Sequence, residues 1–287
     1  MFPGAPGRPG EQYAHRRLRR TVPAVRGHFA ALDLEDGFRH GGAVDDDLAS
    51  LNRRAVSTYT VRWNHTAPII GTAWLSYGGP MSPQRYSGLI MDFAGVLTRN
   101  MVQVYDFFEL VEGVKQYTVL RGWADPRGQE LYRRLELGEI SQAEWNAGFG
   151  ELIGVGPENL MGRLLEDLTP ANSMLSVVDD AREAGIRTAL LSNSLGRSPH
   201  DPYGPFNLDD RFDVVVLSDQ VGLRKPDPRI FKLTAERLGL PTAECVFADD
   251  TEENLPPAQE LGMGVLHAVD EREAVPHLRS LLGLLAA

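Results

Sequence analysis

The sequence predicts an α/β fold, a doubly wound parallel sheet with an inserted helical cap. From residue 87 onward, short apolar runs alternate with amphipathic stretches, which is the pattern of strands and helices in a parallel sheet. Several of these runs end in polar residues. The block of residues 99–172 interrupts the alternation with helical candidates alone. We therefore expect a core made of residues 86–98 and 173–287, covered by a helical cap of residues 99–172.

The elements follow in order from these patterns. The first strand is the apolar run GLIMDF (88–93), and four helices are predicted after it, near 101–113, 127–137, 142–153 and 157–168. Ser141 and Glu144 form an S-x-x-E capping box in front of the third helix. The second half alternates again, with strands at 186–192, 212–218, 245–250 and 262–267 and helices at 173–185, 228–239, 252–262 and 271–284.

Composition limits the class of protein. The chain has 287 residues, of which 43% are hydrophobic and 24% charged, as in ordinary soluble globular proteins. The net charge of −10 argues against nucleic acid as a partner, and no apolar run approaches the ~20 residues of a membrane span. The single cysteine, Cys245, excludes an internal disulfide and fits a reducing compartment, so we expect a cytoplasmic protein. Nothing in the sequence indicates the oligomeric state.

Residues 1–85 differ from the rest of the chain. They begin with a Gly/Pro-rich stretch, carry the basic cluster HRRLRR (15–20) and show poor periodicity. We predict a disordered or loosely packed N-terminal extension, whose basic cluster could contact a membrane surface or RNA. An alternative hypothesis is that translation starts at Met81, which leaves 207 residues, a natural size for one domain.

The polar residues at predicted strand ends are the candidate functional residues. In a parallel sheet, ligands bind beyond the carboxyl ends of the strands. The residues at or near those ends are Asp92, Ser192, Asn193, Lys225, Asp249 and Asp250. We expect them to converge on one crevice.

Each residue type suits phosphate chemistry. A carboxylate such as Asp92 can attack phosphorus, and the groups of Ser192 and Asn193 can donate hydrogen bonds to phosphate oxygens. Lys225 can neutralise phosphate charge and pair with the acids. Two adjacent carboxylates, Asp249 and Asp250, repel each other unless a cation compensates, and Mg²⁺ prefers such oxygen ligands.

Four motifs in this order resemble the haloacid dehalogenase superfamily over roughly residues 86–284. They are DFAGVLT (92–98), LLSNS (190–194), GLRKPDP (222–228) and FADDTEEN (247–254). The helical insert is similar to the small helical cap of one group in that superfamily. Within it, ELGEISQAEW (136–145) resembles the cap of bacterial sugar-phosphate phosphatases, and the chain is also similar to the phosphatase domain at the N-terminus of epoxide hydrolases.

The resemblance implies a Mg²⁺-dependent phosphatase that acts on a small phosphorylated metabolite. Asp92 would be the nucleophile and a metal ligand, together with Asp250 and the main-chain carbonyl of Ala94. The phosphoryl group would be held by Ser192, Asn193 and Lys225. Asp249 would ligate the metal through water or pair with Lys225, and Asn254 fits a polar position that often follows the acid pair.

One position departs from the family pattern. Ala94 stands where most family phosphatases carry an aspartate that acts as general acid, a role typically worth ~10²–10⁴ in rate. His200 and Tyr203 are candidates to supply a proton instead. The departure leaves two alternatives open: a weak or inactive binding and regulatory protein, and a metal-independent 2-haloacid dehalogenase in which Asp92 attacks carbon.

Three further residues are predicted to be structural. Cys245 lies inside an apolar strand and is expected in the core. Trp123 and Trp145 are expected in the core of the helical insert rather than at the substrate. Arg224, beside Lys225, is expected on the surface.

Overall fold

The structure, a computed structural model, describes residues 86–284. Its sheet has five parallel strands in the order β3-β2-β1-β4-β5. The strands are β1 (Gly88–Met91), β2 (Arg187–Ser192), β3 (Val214–Leu217), β4 (Cys245–Asp249) and β5 (Gly264–His267). The predicted doubly wound parallel sheet is therefore confirmed. The predicted extension of residues 1–85 lies outside the described residues.

The central strand β1 fixes the position of the first acid. Gly88 pairs with Arg187 on one side and with Cys245 on the other, and Met91 pairs with Leu190 and Ala248. The strand stops at Met91, two residues before the predicted end, because Gly95 turns the chain with a φ of +82°. Asp92 therefore stands just beyond the carboxyl edge of the sheet.

Five helices follow β1 and pack around a cluster of their own. They are α1 (Met101–Glu112), α2 (Thr118–Ala124), α3 (Pro126–Glu136), α4 (Gln142–Ile153) and α5 (Leu160–Leu164). The predicted capping box at α4 is confirmed, because Ser141 N donates to Glu144 at 2.8 Å and Glu144 N donates to Ser141 at 3.2 Å. Trp145 is completely buried and stacks on Phe149, as expected of a core residue.

The other helices cover the two faces of the sheet. They are α6 (Asn172–Glu183), α7 (Leu208–Arg211), α8 (Ser218–Val221), α9 (Pro228–Leu238), α10 (Leu255–Glu260) and α11 (Glu271–Leu281). Leu89 and Met91 point into one buried cluster with α6 and α11, whereas Ile90 points into another with α9 and α10. Successive strand residues face opposite sides, so both faces are buried.

Several elements differ from prediction. The helix expected near 252–262 is a 3₁₀ turn, Glu252–Asn254, followed by α10, whose first turn holds prolines. The helix expected at 157–168 is only the five residues of α5, and the short helices α2, α7 and α8 were not predicted. Within the described residues, no helix is both long and apolar enough to cross a membrane.

Candidate active site

The predicted acids and the predicted lysine meet at the carboxyl edge of the sheet. Asp92 follows β1, Ser192 ends β2 and Asp249 ends β4, which places them on three adjacent strands. The Lys225 Nζ lies 2.6 Å from an Asp92 oxygen and 2.6 Å from an Asp249 oxygen. Lys225 is buried with 1% of its surface exposed, so this pairing takes place away from water.

Asp249 is engaged on both carboxylate oxygens. One oxygen accepts a hydrogen bond from the main-chain N–H of Thr251 at 2.8 Å, and the Asn254 amide donates to both oxygens at 3.0 and 3.1 Å. The second oxygen also accepts from Lys225 at 2.6 Å. These bonds hold Asp249 in place as the partner that positions Lys225.

The carboxylates outnumber the lysine. Ligand oxygens of Asp92, Asp249 and Asp250 lie within 4.8 Å of one another. Burial raises the pKa of Asp92 to about 7, against the lowering effect of Lys225. Burial, together with the charges of Asp92 and Asp249, raises the pKa of Asp250. One lysine cannot balance two buried carboxylates and a third that is partly buried, so the group fits a divalent cation with a preference for oxygen ligands.

Lys225 keeps its proton in this setting. Burial alone would lower its pKa, but the charges of Asp249 and Asp92 and their hydrogen bonds outweigh burial and raise it. The ammonium also lies 5.5 Å from the centre of the Phe247 ring. The site therefore holds one permanent positive charge beside Asp92.

Gly95 shapes the space beside the acids. A Cβ at this position would lie 2.1 Å from an Asp250 carboxylate oxygen, and the residue has a φ of +82°. Its N–H donates to the Thr98 hydroxyl at 2.9 Å, which closes the turn after Asp92. Gly95 and Asp250 also line an open cleft of about 590 Å³. Only glycine lets the turn approach the Asp250 carboxylate this closely.

Ser192 and Asn193 have different surroundings. The Ser192 hydroxyl lies 3.0 Å from the Tyr203 hydroxyl, in a cavity of about 40 Å³ above the end of β2. The Asn193 amide donates to the Lys225 carbonyl at 3.1 Å and accepts from the Lys225 N–H at 2.8 Å. Asn193 thus fixes the main chain of Lys225, while its predicted contact with phosphate stays a prediction.

Near Lys225, sequence reasoning missed Glu136 and placed Arg224 wrongly on the surface. Glu136, at the end of α3, is buried and approaches Arg224 to 2.6 Å. Burial raises the pKa of Glu136 to about 7, and the charge of Arg224 opposes this. Arg224 was expected on the surface, yet its side chain is 31% exposed and reaches this buried acid. The pair ties α3 to the loop that carries Lys225.

Gln142, at the start of α4, is a second missed residue. Its amide N–H₂ donates to the carbonyls of Leu195, Gly196 and His200 at 2.9, 3.2 and 2.9 Å. Its carbonyl accepts from the His200 N–H at 3.0 Å. Gln142 is buried, so it fixes the loop after β2 against the helices. No local pattern indicates it, because its partners lie 53 to 58 residues away.

The two candidate proton donors lie in different places. Tyr203 lines the cavity at Ser192, and burial raises the pKa of its hydroxyl, which makes it a weaker acid. His200 lines a neighbouring cavity of about 450 Å³, and burial lowers the pKa of its imidazole. Ala94 itself borders the cavity at Ser192. Of the two, only Tyr203 lies on the lining of that cavity.

Fold and site together define an α/β enzyme with a carboxylate–lysine centre at the carboxyl edge of a parallel sheet. The family model of haloacid dehalogenase-like hydrolases matches residues 86–262. The chain belongs to this family of hydrolases, as its resemblance predicted.

Curated relatives carry several functions. The chain is 29% identical over 221 residues to mouse acyl-CoA dehydrogenase family member 10, a match that covers 74% of this chain and 20% of the mouse protein. It is 26% identical over 157 residues to the sesquiterpene phosphatase astK of Aspergillus oryzae, with 54% of this chain and 80% of that protein covered. The chain therefore spans about a fifth of the mouse relative and most of the fungal one.

A solved structure shares the fold. It is the HAD family enzyme bt-2542 of Bacteroides thetaiotaomicron, an aspartate-to-alanine mutant in complex with magnesium and inorganic phosphate. The TM-score is 0.50 at 25% identity, over 62% of this chain and 92% of that one. In that relative the fold is compatible with a magnesium ion and a phosphate.

Proposed function

We propose that this hydrolase is a Mg²⁺-dependent phosphomonoester phosphatase that acts on a small phosphorylated metabolite, with Asp92 as nucleophile. The observation that carries the proposal is the buried contact of Lys225 with Asp92 and with Asp249, each at 2.6 Å. Asp250 follows Asp249 directly, and Ser192 ends the strand β2 at the same edge of the sheet. A lysine bound in this way orients the Asp92 carboxylate and adds positive charge where a phosphoryl group would lie.

The reaction has two displacements at phosphorus. An Asp92 oxygen attacks phosphorus, the P–O bond to the organic group breaks, and its electron pair leaves with the organic oxygen, which takes a proton from solvent. The oxygen of a water molecule then attacks the aspartyl-phosphate, the P–O bond to Asp92 breaks, and the water proton passes to solvent. One water is consumed, one alcohol and one phosphate are released, and Asp92 is restored. Ser192 and Lys225 would hold the phosphoryl oxygens through both steps.

The residues that would hold Mg²⁺ are Asp92, Asp250 and the carbonyl of Ala94. The ion would neutralise the negative charge shared by the carboxylates and the phosphoryl oxygens. Support comes from the oxygen-only donor set and from the excess of buried carboxylates over lysine. The relative from Bacteroides, which holds magnesium and phosphate, supports the same choice of ion.

The division into core and cap belongs to this proposal. Residues 86–98 and 173–287 would form the core and residues 99–172 the small helical cap. The helices between residues 101 and 164 pack around a hydrophobic cluster separate from the two clusters on the sheet faces, which supports the division. The cavity at Ser192 is lined from both groups, by Phe93 and Ser192 on one side and Tyr105 on the other.

The test is hydrolysis of p-nitrophenyl phosphate with and without Mg²⁺. Its leaving group needs no protonation, so the absence of an acid at Ala94 does not obscure the result. We expect turnover that EDTA abolishes and that falls at least about 1,000-fold in Asp92→Asn, since the nucleophile is lost. Asp167→Asn, the same change at an exposed acid, is the matched control and should keep wild-type activity.

Other outcomes select the alternatives. Halide release from a 2-haloacid that survives EDTA would favour the dehalogenase over the phosphatase. Phosphate binding without turnover, in a chain that releases no p-nitrophenol, would favour a binding and regulatory protein.

A further inference from the structure

The cavity at Ser192 has an apolar wall. Among the described residues that line it, none carries a charge. Phe93 follows the proposed nucleophile directly, and Tyr105, Trp123 and Tyr132 face the cavity from the helices. An organic group bound above Ser192 would therefore contact mainly aromatic and aliphatic carbon.

The helices bring two phenol hydroxyls and an indole N–H to the wall, on Tyr105, Tyr132 and Trp123. Three other polar side chains of the helices do not line the cavity and are engaged elsewhere. Glu136 is paired with Arg224, and Gln142 makes four hydrogen bonds to the main chain of residues 195–200. The Asn146 carbonyl accepts from the Met161 N–H at 3.0 Å. Glu136 and Gln142 belong to ELGEISQAEW, the segment that resembles a sugar-phosphate cap, and here their side chains contact other parts of the protein.

A sugar would be bound poorly against such a wall. Each hydroxyl that loses its water without gaining a partner weakens binding roughly five- to a hundredfold. Apolar carbon gains instead, by about a factor of four for each buried methylene equivalent. The lining therefore selects against polyhydroxylated groups and in favour of apolar ones.

The leaving group is restricted by a second, independent feature. Ala94 borders the cavity and carries no acid, and no carboxylic acid or imidazole occurs among the described residues that line it. The departing oxygen must then leave with little help from a proton donor. A phenol, with a pKa near 10, leaves far more readily than an aliphatic alcohol.

We propose that the substrate class is the aryl phosphate monoester, a phosphate on an apolar aromatic ring. This assignment rests on the proposed phosphatase activity. As Asp92 bonds to phosphorus, the aryl C–O–P linkage breaks at its P–O bond, and the electron pair stays on the phenoxide oxygen, which takes its proton from water. The ring lies against Tyr105, Trp123 and Tyr132, where aromatic pairs are favourable.

The cavity as it stands is smaller than an aromatic ring requires. It holds about 40 Å³, whereas a protein cavity that binds benzene holds about 150 Å³. A ring would therefore need room from Met101, Leu168 and Leu195, three aliphatic side chains of the lining that are only partly buried. These residues determine how large a ring is accepted.

The test separates apolarity from leaving-group chemistry. Benzyl phosphate and glucose 6-phosphate both release a primary alcohol, so their ratio of kcat/KM reports the polarity of the wall. Phenyl and benzyl phosphate are both apolar, so their ratio reports the leaving group. Acetyl phosphate releases acetate, which needs no proton and is too small to make extensive contact with the wall. Its hydrolysis therefore reports whether phosphoryl transfer works at all.

We expect acetyl phosphate to be hydrolysed, benzyl phosphate to exceed glucose 6-phosphate at least about 100-fold, and phenyl phosphate to exceed benzyl phosphate. Hydrolysis of acetyl phosphate with glucose 6-phosphate equal to or above benzyl phosphate overturns the aryl assignment and leaves the phosphatase standing. Failure on both acetyl phosphate and phenyl phosphate overturns the phosphatase, and the substrate class with it.

Variants locate the effect. Leu168→Asn should lower kcat/KM about five- to tenfold for phenyl and benzyl phosphate, and much less for acetyl phosphate, because it adds an amide to the wall. Leu110→Asn, on the outer side of α1 where Leu110 is 80% exposed, is the matched control and should change none of them. Equal losses in both variants, or a loss on acetyl phosphate as large as the loss on phenyl phosphate, would contradict the role of the wall.

Ala94→Asp tests the leaving-group argument. The new acid should raise kcat/KM for benzyl phosphate about tenfold or more, and raise phenyl phosphate much less, because only the alcohol needs a proton. Equal gains for both substrates, or no gain for benzyl phosphate, would overturn this part of the assignment.

Discussion

Replacement of Gly95 by alanine tests the geometry beside the acids. The added Cβ would lie 2.1 Å from an Asp250 carboxylate oxygen, against an ordinary contact of about 3.4 Å. The carboxylate, the glycine turn or both must move by the difference, about 1.3 Å. A left-handed φ of +82° adds about 1–2 kcal/mol of backbone strain for any residue with a Cβ.

The displacement should affect chemistry more than stability. A shift of about 1 Å in a reacting group costs about 100-fold in rate, and disturbed ligands typically weaken metal binding 10- to 100-fold. We expect Gly95→Ala to lower kcat/KM about 100-fold and to raise the Mg²⁺ concentration for half-maximal activity at least tenfold. The free energy of unfolding should fall by only about 1–3 kcal/mol, measured by urea denaturation.

Gly239→Ala is the matched control. Gly239 ends α9 with a φ of +70°, and an added Cβ would meet no described atom within 4 Å. It should therefore show the loss in stability without the loss in activity or Mg²⁺ response. The reasoning is refuted if Gly95→Ala keeps the activity and the Mg²⁺ dependence of Gly239→Ala.

Two more predictions concern the partners of Lys225 and Arg224. Asn193→Ala leaves the Lys225 N–H and carbonyl without their side-chain partner. We therefore expect kcat to fall at least about tenfold and the free energy of unfolding to fall by about 1–3 kcal/mol. An unchanged kcat would contradict this. Glu136 has a folded-state pKa raised from 4.5 to about 7, so the stability it contributes is present below pH 4.5 and lost as pH rises through 7. Relative to Glu136→Gln, wild type should therefore lose up to about 3 kcal/mol between pH 4.5 and 7, and parallel denaturation profiles would refute the shift.

The sequence predicted the sheet well because each strand is a continuous apolar run with a turn signal after it. The helix α2, TVLRGWA, was missed because it contains Gly122, has no side-chain cap and is too short to show a periodic face. α5 was predicted too long because residues 157–168 are apolar at helical spacing, yet only five of them are helical. Local spacing shows which residues are buried, but not where packing ends a helix.

For the candidate site too, the sequence predicted one part and missed another. Asp92, Ser192 and Asp249 were predictable, because strand ends in a parallel sheet share one edge. The bonds that position them were not, since Asn193 and Lys225 are 32 residues apart and Gln142 and His200 are 58 apart. A side chain whose partners are distant main-chain groups leaves no trace in the residues around it.

Gln142 has a consequence for the comparison of related chains. Its side-chain amide donates hydrogen bonds to three carbonyls and accepts one from an N–H. The contact therefore needs a donor and an acceptor on one planar amide group. Glutamate has the same outline but offers no donor, and leucine offers neither. A change at this position in a homologue would thus weaken the attachment of residues 195–200 to α4, and would not by itself indicate a different substrate.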